Sequence, residues 1–264
     1  MHRLIRSLFM HVNHVKQALR EKRLQIGTGF WQMRSPEVAR LLAKAGFHWA
    51  FLDTEHGGFD LETLQDICRV ARLSGLSPIV RVGELLYTLV ARAFDCGADG
   101  VIFPRVEDPE VLARAVSWTK FPPVGIRGYG LSLHHLDYET HSFPEVIDHM
   151  NSNSMVVLQI ETRRAFEARE ELLSVPGIDA VMVGPADLSI SFGIPGQFED
   201  PVLIDAIDAI VASCVKHNVA PGIQTRNLKL AQFWRDHGML FLGCGNELAM
   251  MWERALEITN GLRP

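Results

Sequence analysis

Short apolar runs alternate with longer stretches of apolar residues at helical spacing along almost the whole chain. The runs are QIGTGF (25–30), WAFLD (49–53), PIVR (78–81), GVIFP (100–104), MVVLQIE (155–161), DAVMVG (179–184), APGI (220–223) and MLFLG (239–243). Each closes on polar, glycine or proline residues, as buried strands do. Between them the periodicity predicts helices over 36–46, 61–75, 85–97, 109–119, 164–174, 201–218 and 228–238, several ending on a glycine that suits a helix C-cap. A last amphipathic stretch, ELAMMWERALEITNG, follows the eighth run. Parallel strands buried on both faces need helical crossovers, so the alternation predicts an α/β chain forming a single (β/α)8 TIM barrel over residues 1–264, with a short N-terminal helical extension. A doubly wound open sheet is the alternative. Only the stretch 121–153 breaks the rhythm; a connection of that length is expected to be functional or to form an interface.

Composition narrows the class without changing the architecture. At 264 residues, 47% apolar and 22% charged, the chain can bury a full core. A net charge of -5 and a pI near 6.1 offer no footprint for nucleic acid or an anionic membrane. No apolar run reaches the ~18 residues that a membrane span needs. Cys68, Cys96, Cys214 and Cys244 show no metal or disulfide spacing and read as reduced thiols of a cytoplasmic protein. The first 20 residues carry basic residues and no acid. A surface helix is the plain explanation of that stretch, and a mitochondrial presequence the alternative.

In a barrel the chemistry collects at the carboxyl ends of the strands. Strand two is followed by Asp53, Thr54, Glu55 and His56; strand three ends on Arg81; strand five ends on Gln159 and Glu161; strand six runs into GPADLS with Gly184, Pro185, Ala186 and Asp187. Glu161 and Asp187 stand one βα unit apart, which puts two carboxylates on neighbouring strands. Such a pair without histidine or thiol suits Mg²⁺ or Mn²⁺. A metal-free acid/base dyad and a salt bridge from Glu161 to Arg163 or Arg164 are the competing readings. His56 can act as a base near neutral pH, oriented by Asp53 or a more distant carboxylate. Arg81, closing a buried strand, must meet an anion, either a neighbouring carboxylate or a substrate oxyanion. The GPADLS turn offers backbone N–H groups to a carboxylate. The six lysines fall away from the strand ends, which argues against Schiff-base chemistry.

Taken together, DTEHG, Arg81, DCGADGVIFPRVEDPE, PPVGIRGYG, QIET and GPADLSISFGIPG resemble the HpcH/HpaI aldolase family over nearly the whole chain. The resemblance implies a phosphoenolpyruvate/pyruvate-type barrel and a metal-dependent class II aldolase cleaving a 4-hydroxy-2-oxo acid to pyruvate and an aldehyde. It implies Glu161 and Asp187 as ligands of Mg²⁺, Mn²⁺ or Co²⁺, His56 as base, Asp95 raising its basicity and Arg81 on the enolate oxygen. Gln159 would contact substrate, the backbone N–H groups of Ala186 and Asp187 would hold its carboxylate, and the chain would form a homo-oligomer, a trimer of dimers. Two departures, Asn246 and the segment 131–154, bear on the aldehyde rather than on pyruvate. A decarboxylase of oxaloacetate-like acids would use the same site, as would a citrate-lyase-like acyl-CoA lyase, for which no nucleotide-binding feature is visible. A non-catalytic binding barrel is the alternative of another class.

Overall fold

In a computed structural model describing residues 10–264, eight parallel strands close into a barrel in chain order, each hydrogen-bonded to the next and β8 to β1. They are β1 (Gln25–Phe30), β2 (Trp49–Asp53), β3 (Ser77–Arg81), β4 (Gly100–Phe103), β5 (Met155–Ile160), β6 (Ala180–Val183), β7 (Gly222–Thr225) and β8 (Phe241–Asn246). The open doubly wound alternative is thereby excluded.

Side chains alternate between the two faces of a strand, and here the parity is consistent. Trp49, Phe51, Ile79, Ile102, Met155, Val157, Ala180, Met182 and Phe241 fill the barrel lumen. Ala50, Leu52, Val80, Val101, Phe103, Val156, Leu158, Val181, Val183 and Leu242 face the helical shell. Large rings in so narrow a lumen need small neighbours. Gly27 on β1 supplies the space beside Trp49, since a Cβ there would overlap the indole, and Trp49 in turn stacks on Phe241 with centroids 3.8 Å apart.

The helices are α1 (His14–Arg20), α2 (Glu37–Lys44), α3 (Leu61–Leu73), α4 (Tyr87–Asp95), α5 (Pro109–Ser117), α6 (Phe143–Asn153), α7 (Arg163–Glu167), α8 (Arg169–Leu173), α9 (Pro185–Ser191), α10 (Pro201–Lys216), α11 (Leu228–Asp236) and α12 (Glu247–Leu262). The helix predicted over 164–174 is two short ones meeting at Ala168, whose ψ of 9° leaves the helical range. Helix α1 is not the surface helix expected of the N-terminal stretch. Val15 and Leu19 pack against the lumen residues, and Lys16 reaches Asp179 at 3.0 Å and the Ser154 carbonyl at 2.7 Å, so α1 plugs the amino-terminal end of the barrel. Residues 1–9, on which part of the presequence alternative falls, lie outside the described residues.

The irregular stretch 121–153 contains a 3-10 turn (Leu133–Leu136) and α6, and it runs between the end of α5 and the start of β5. Both of those points lie at the amino-terminal end of the barrel. Asn151 ties it to Phe121 through both backbone groups, and Asn153 clasps Asn13. Among the described residues no helix is long and apolar enough to cross a membrane.

Candidate active site

The inward parity of the strands decides which polar residues meet. On β2 it runs Trp49, Phe51, Asp53; on β3, Ile79, Arg81; on β5, Met155, Val157, Gln159 and then Glu161; on β6, Ala180, Met182 and then Gly184. Each series begins with apolar residues in the lumen and ends with a polar residue or glycine at the carboxyl rim. There a cavity of about 470 Å³ opens, lined among others by Asp53, His56, Arg81, Gln159, Gly184 and Asp187. Its size is in the ~300–1,000 Å³ range of small-molecule sites.

Asp53 and Arg81 face each other across the β2–β3 ladder. Arg81 donates from Nε to Oδ1 at 3.0 Å and from Nη2 to Oδ2 at 2.7 Å, and its guanidinium lies over the Phe51 ring. Asp53 Oδ1 also accepts the N–H groups of Glu55 and His56. The DTEH turn is therefore wound about Asp53, which fixes the backbone of His56 rather than its ring. The ring is exposed, and its nearest carboxylate is Glu55, 3.7 Å from Nε2. Glu55 had no assigned part in the sequence reading. It stands 3.2 Å from Arg81 and 3.4 Å from Arg105, besides its contact with His56.

Asp95 is not brought to His56 within the chain. It ends α4, which leaves the rim after β3 and carries Asp95 to the opposite end of the barrel, where Arg127 Nη2 donates to its carboxylate at 2.7 Å. The segment 131–154 likewise contributes nothing to the rim cavity of its own chain. Crossover helices run from one end of the barrel to the other, so within one chain neither Asp95 nor this segment lies at the rim.

Glu161 is 3% exposed and accepts from the Gln159 amide and from the Arg105 backbone N–H at 3.0 Å. Burial, and then the charge of Asp187, push its carboxyl above the usual glutamate range. Neither Arg163 nor Arg164 neutralises it: Arg163 lies over Phe192 and Arg164 pairs with Glu107. Asp187 lies in the first turn of α9, behind the Gly184 N-cap and Pro185 at the first helical position. Proline has no N–H to waste there, and the N–H groups of Ala186 and Asp187 have no acceptor within the helix. Gly184 allows the close approach, because a Cβ on it would stand 3.0 Å from Glu161 Cβ and 3.1 Å from Oε2. Gln159 Oε1 is buried without a partner. Two carboxylates in mutual repulsion beside an unpartnered amide oxygen form an all-oxygen donor set, which fits a hard divalent cation.

Further residues on the rim escaped the sequence reading. Trp31 and Gln224 line the cavity, and Glu247 braces it. Glu247 Oε1 accepts the N–H groups of Trp31, Gln32 and Met33 at 2.9, 2.6 and 3.1 Å. Asn246, standing beside it, caps α12 by accepting from the Ala249 N–H.

The model of one family, the HpcH/HpaI aldolase/citrate lyase family, matches residues 28–253, which hold every rim residue described above. This chain belongs to that family. A 4-hydroxy-2-oxo-heptane-1,7-dioate aldolase of Escherichia coli is 32% identical over 240 residues, covering 90% of each chain. Two crystal structures share the barrel. An HpcH/HpaI aldolase from Desulfitobacterium hafniense has a TM-score of 0.89 at 27% identity, over 94% of this chain and 97% of its own. A family protein from Burkholderia cenocepacia has 0.88 at 28%, over 96% and 100%. The family and its aldolases make this HpcH/HpaI member a carbon–carbon lyase.

Proposed function

We propose that the enzyme reversibly cleaves a 4-hydroxy-2-oxo acid into pyruvate and an aldehyde, with a divalent cation held by Glu161 and Asp187. The observation that carries this reading is the convergence of Asp187, the Asp53–Arg81 pair and His56 on one rim cavity that no lysine lines, with the buried Glu161 beside Asp187 and bonded to Gln159 on the cavity wall. Without a lysine there is no amine for an imine, so the electrons released from the breaking bond need another electrophile.

A divalent cation bound there would supply Lewis acidity toward the 2-keto oxygen and carboxylate. The protein does the rest. The N–H groups of Ala186 and Asp187 receive the substrate carboxylate at the start of α9. His56, open to the cavity, takes the proton of the 4-hydroxyl; the C3–C4 bond then breaks, C4 becomes the aldehyde carbonyl and the electron pair passes to C3 as the enolate of pyruvate. Arg81 spends Nε and Nη2 on Asp53, which leaves Nη1 to face the enolate oxygen. Protonation at C3 completes pyruvate. Asp53 keeps Arg81 fixed and shapes the turn that presents His56, so its part is positioning.

A cytoplasmic location belongs to the same reading, and the four free cysteines are in keeping with it. Assembly into a homo-oligomer is supported by α12, along which Leu248, Met251, Trp252, Leu256 and Ile258 are all exposed.

The test is cleavage of 4-hydroxy-2-oxo acids, read as pyruvate release, before and after dialysis against EDTA. Activity is expected to vanish in chelator and to return with Mg²⁺, Mn²⁺ or Co²⁺. Full activity in chelator overturns the metal reading, and oxaloacetate decarboxylation without any aldehyde chemistry overturns the aldolase reading.

A further inference from the structure

One cation on the cavity has no part in the chemistry just described. The inward parity of β7 runs Gly222, Gln224 and then Arg226, one residue beyond the strand. Gln224 finds room because its register partner on β8 is Gly243, where a Cβ would overlap Gln224 Oε1. Two arginines line the cavity. Arg81 is spent on Asp53. Arg226 has neither an ion pair nor a side-chain hydrogen bond among the described residues.

Glu199 holds Lys229 at 3.0 Å, Asp200 caps α10 through the Val202 N–H, and Glu247 turns Oε1 to the three amides after β1. The rim is thus divided. Asp53, Arg81, Glu161 and Asp187 belong to β2, β3, β5 and β6, whereas Arg226 shares the arc of β7, β8 and β1 with Gln224, Asn246 and Trp31. Among the residues of that second arc that line the cavity, Arg226 carries the one charge and none is an acid.

We propose that Arg226 is a specificity-determining residue that binds a terminal anionic group, carboxylate or phosphate, on the aldehyde half of the substrate. This rests on the aldolase reading, which places pyruvate on the first arc and leaves the second to the aldehyde. The exposed guanidinium of Arg226, on a cavity that the Trp31 and Phe198 rings also line, is hydrated when free. It gains a charge-assisted contact when an anion arrives, and the apolar lining strengthens that contact relative to open water. Neutral aldehydes of equal length leave the cation unmatched.

Binding tests the inference without needing turnover. The probes are 2-oxoheptanedioate, its C7 monomethyl ester and a 2-oxo acid of the same length ending in phosphate. All lack the 4-hydroxyl and cannot be cleaved. Calorimetry in Mg²⁺ is expected to show the carboxylate-tailed probe, the phosphate-tailed probe or both binding roughly 10-fold tighter than the ester, which also identifies the source of the anion. Arg226→Gln should abolish that preference and leave pyruvate affinity unchanged, and Arg226→Lys should retain part of it. No preference in the native enzyme, a preference that survives Arg226→Gln, or an equal loss for ester and pyruvate overturns the inference. An enzyme that keeps the Arg226-dependent preference yet cleaves no hydroxy-oxo acid would overturn the aldolase reading alone.

Discussion

Asp53 and Arg81 are register partners on adjacent strands and share two parallel hydrogen bonds of 3.0 and 2.7 Å while both are more than nine-tenths buried. Breaking a buried pair from one side leaves the other charge uncompensated at a cost of ~3–5 kcal/mol. Glu55, 3.2 Å from Arg81, offsets part of that. Asp53→Asn is therefore expected to lose about 2–4 kcal/mol in urea unfolding. It should also lower kcat/KM about 100-fold through the displaced guanidinium.

Ligand and base should separate under mutation. Glu161→Gln is expected to abolish Mn²⁺ binding, followed by calorimetry or by the electron paramagnetic resonance of the free ion. His56→Ala should bind Mn²⁺ and pyruvate normally and lose ~10²–10⁴ in kcat, the usual worth of a general base. Normal turnover by the His56 variant would assign the proton transfer to another group.

Gly184 tests the closeness of the carboxylate pair without removing either acid. Its φ of -96° is open to alanine, so the backbone tolerates the change. The new methyl would meet Glu161 and the Gln159 amide at 3.0–3.2 Å. Gly184→Ala is expected to fold with native circular dichroism and to bind Mn²⁺ roughly 10-fold more weakly, as changes to the groups that orient metal ligands do.

His135 makes stability depend on pH. Burial holds its imidazole below the usual histidine value of 6.5, against the opposing bonds to the backbone of Asp95 and Ser132. Nε2 donates to the Asp95 carbonyl at 2.9 Å and Nδ1 accepts the Ser132 N–H at 3.0 Å, which satisfies the neutral ring. Between 6.5 and the lower folded value the unfolded chain binds the proton first. The contribution is thus complete above pH 6.5 and is lost as pH falls through the folded value. Denaturation midpoints are expected to fall below pH 6.5, and His135→Gln, which keeps a donor for Asp95, should flatten that slope.

Strands were the most legible elements. QIGTGF and WAFLD coincide with β1 and β2 to the residue, since apolar runs bounded by turn residues have few other uses. The run 239–243 was placed two residues early because β8 continues through CGN, where glycine and asparagine hide a strand. The rim acids could be found because each ended an apolar run. Gln224 and Arg226 could have been found by extending the period-two count past the run 220–223. Glu247 could not, because its partners are backbone amides some 215 residues away, and a carboxylate that serves only amides leaves no pattern of side chains. The position of Asp95 was not legible either, since a motif does not say to which end of the barrel its helix travels.

The grip of Glu247 on Trp31, Gln32 and Met33 has a consequence for how this chain can be shortened or fused. Its first-turn carboxylate is the rivet between the carboxyl-terminal tail and the cavity wall, while almost everything after it is exposed. A tag appended at Pro264 leaves the rivet in place. Trimming the tail back through residue 247 releases three amides at once, so the wall that carries Trp31 would come loose far from the cut.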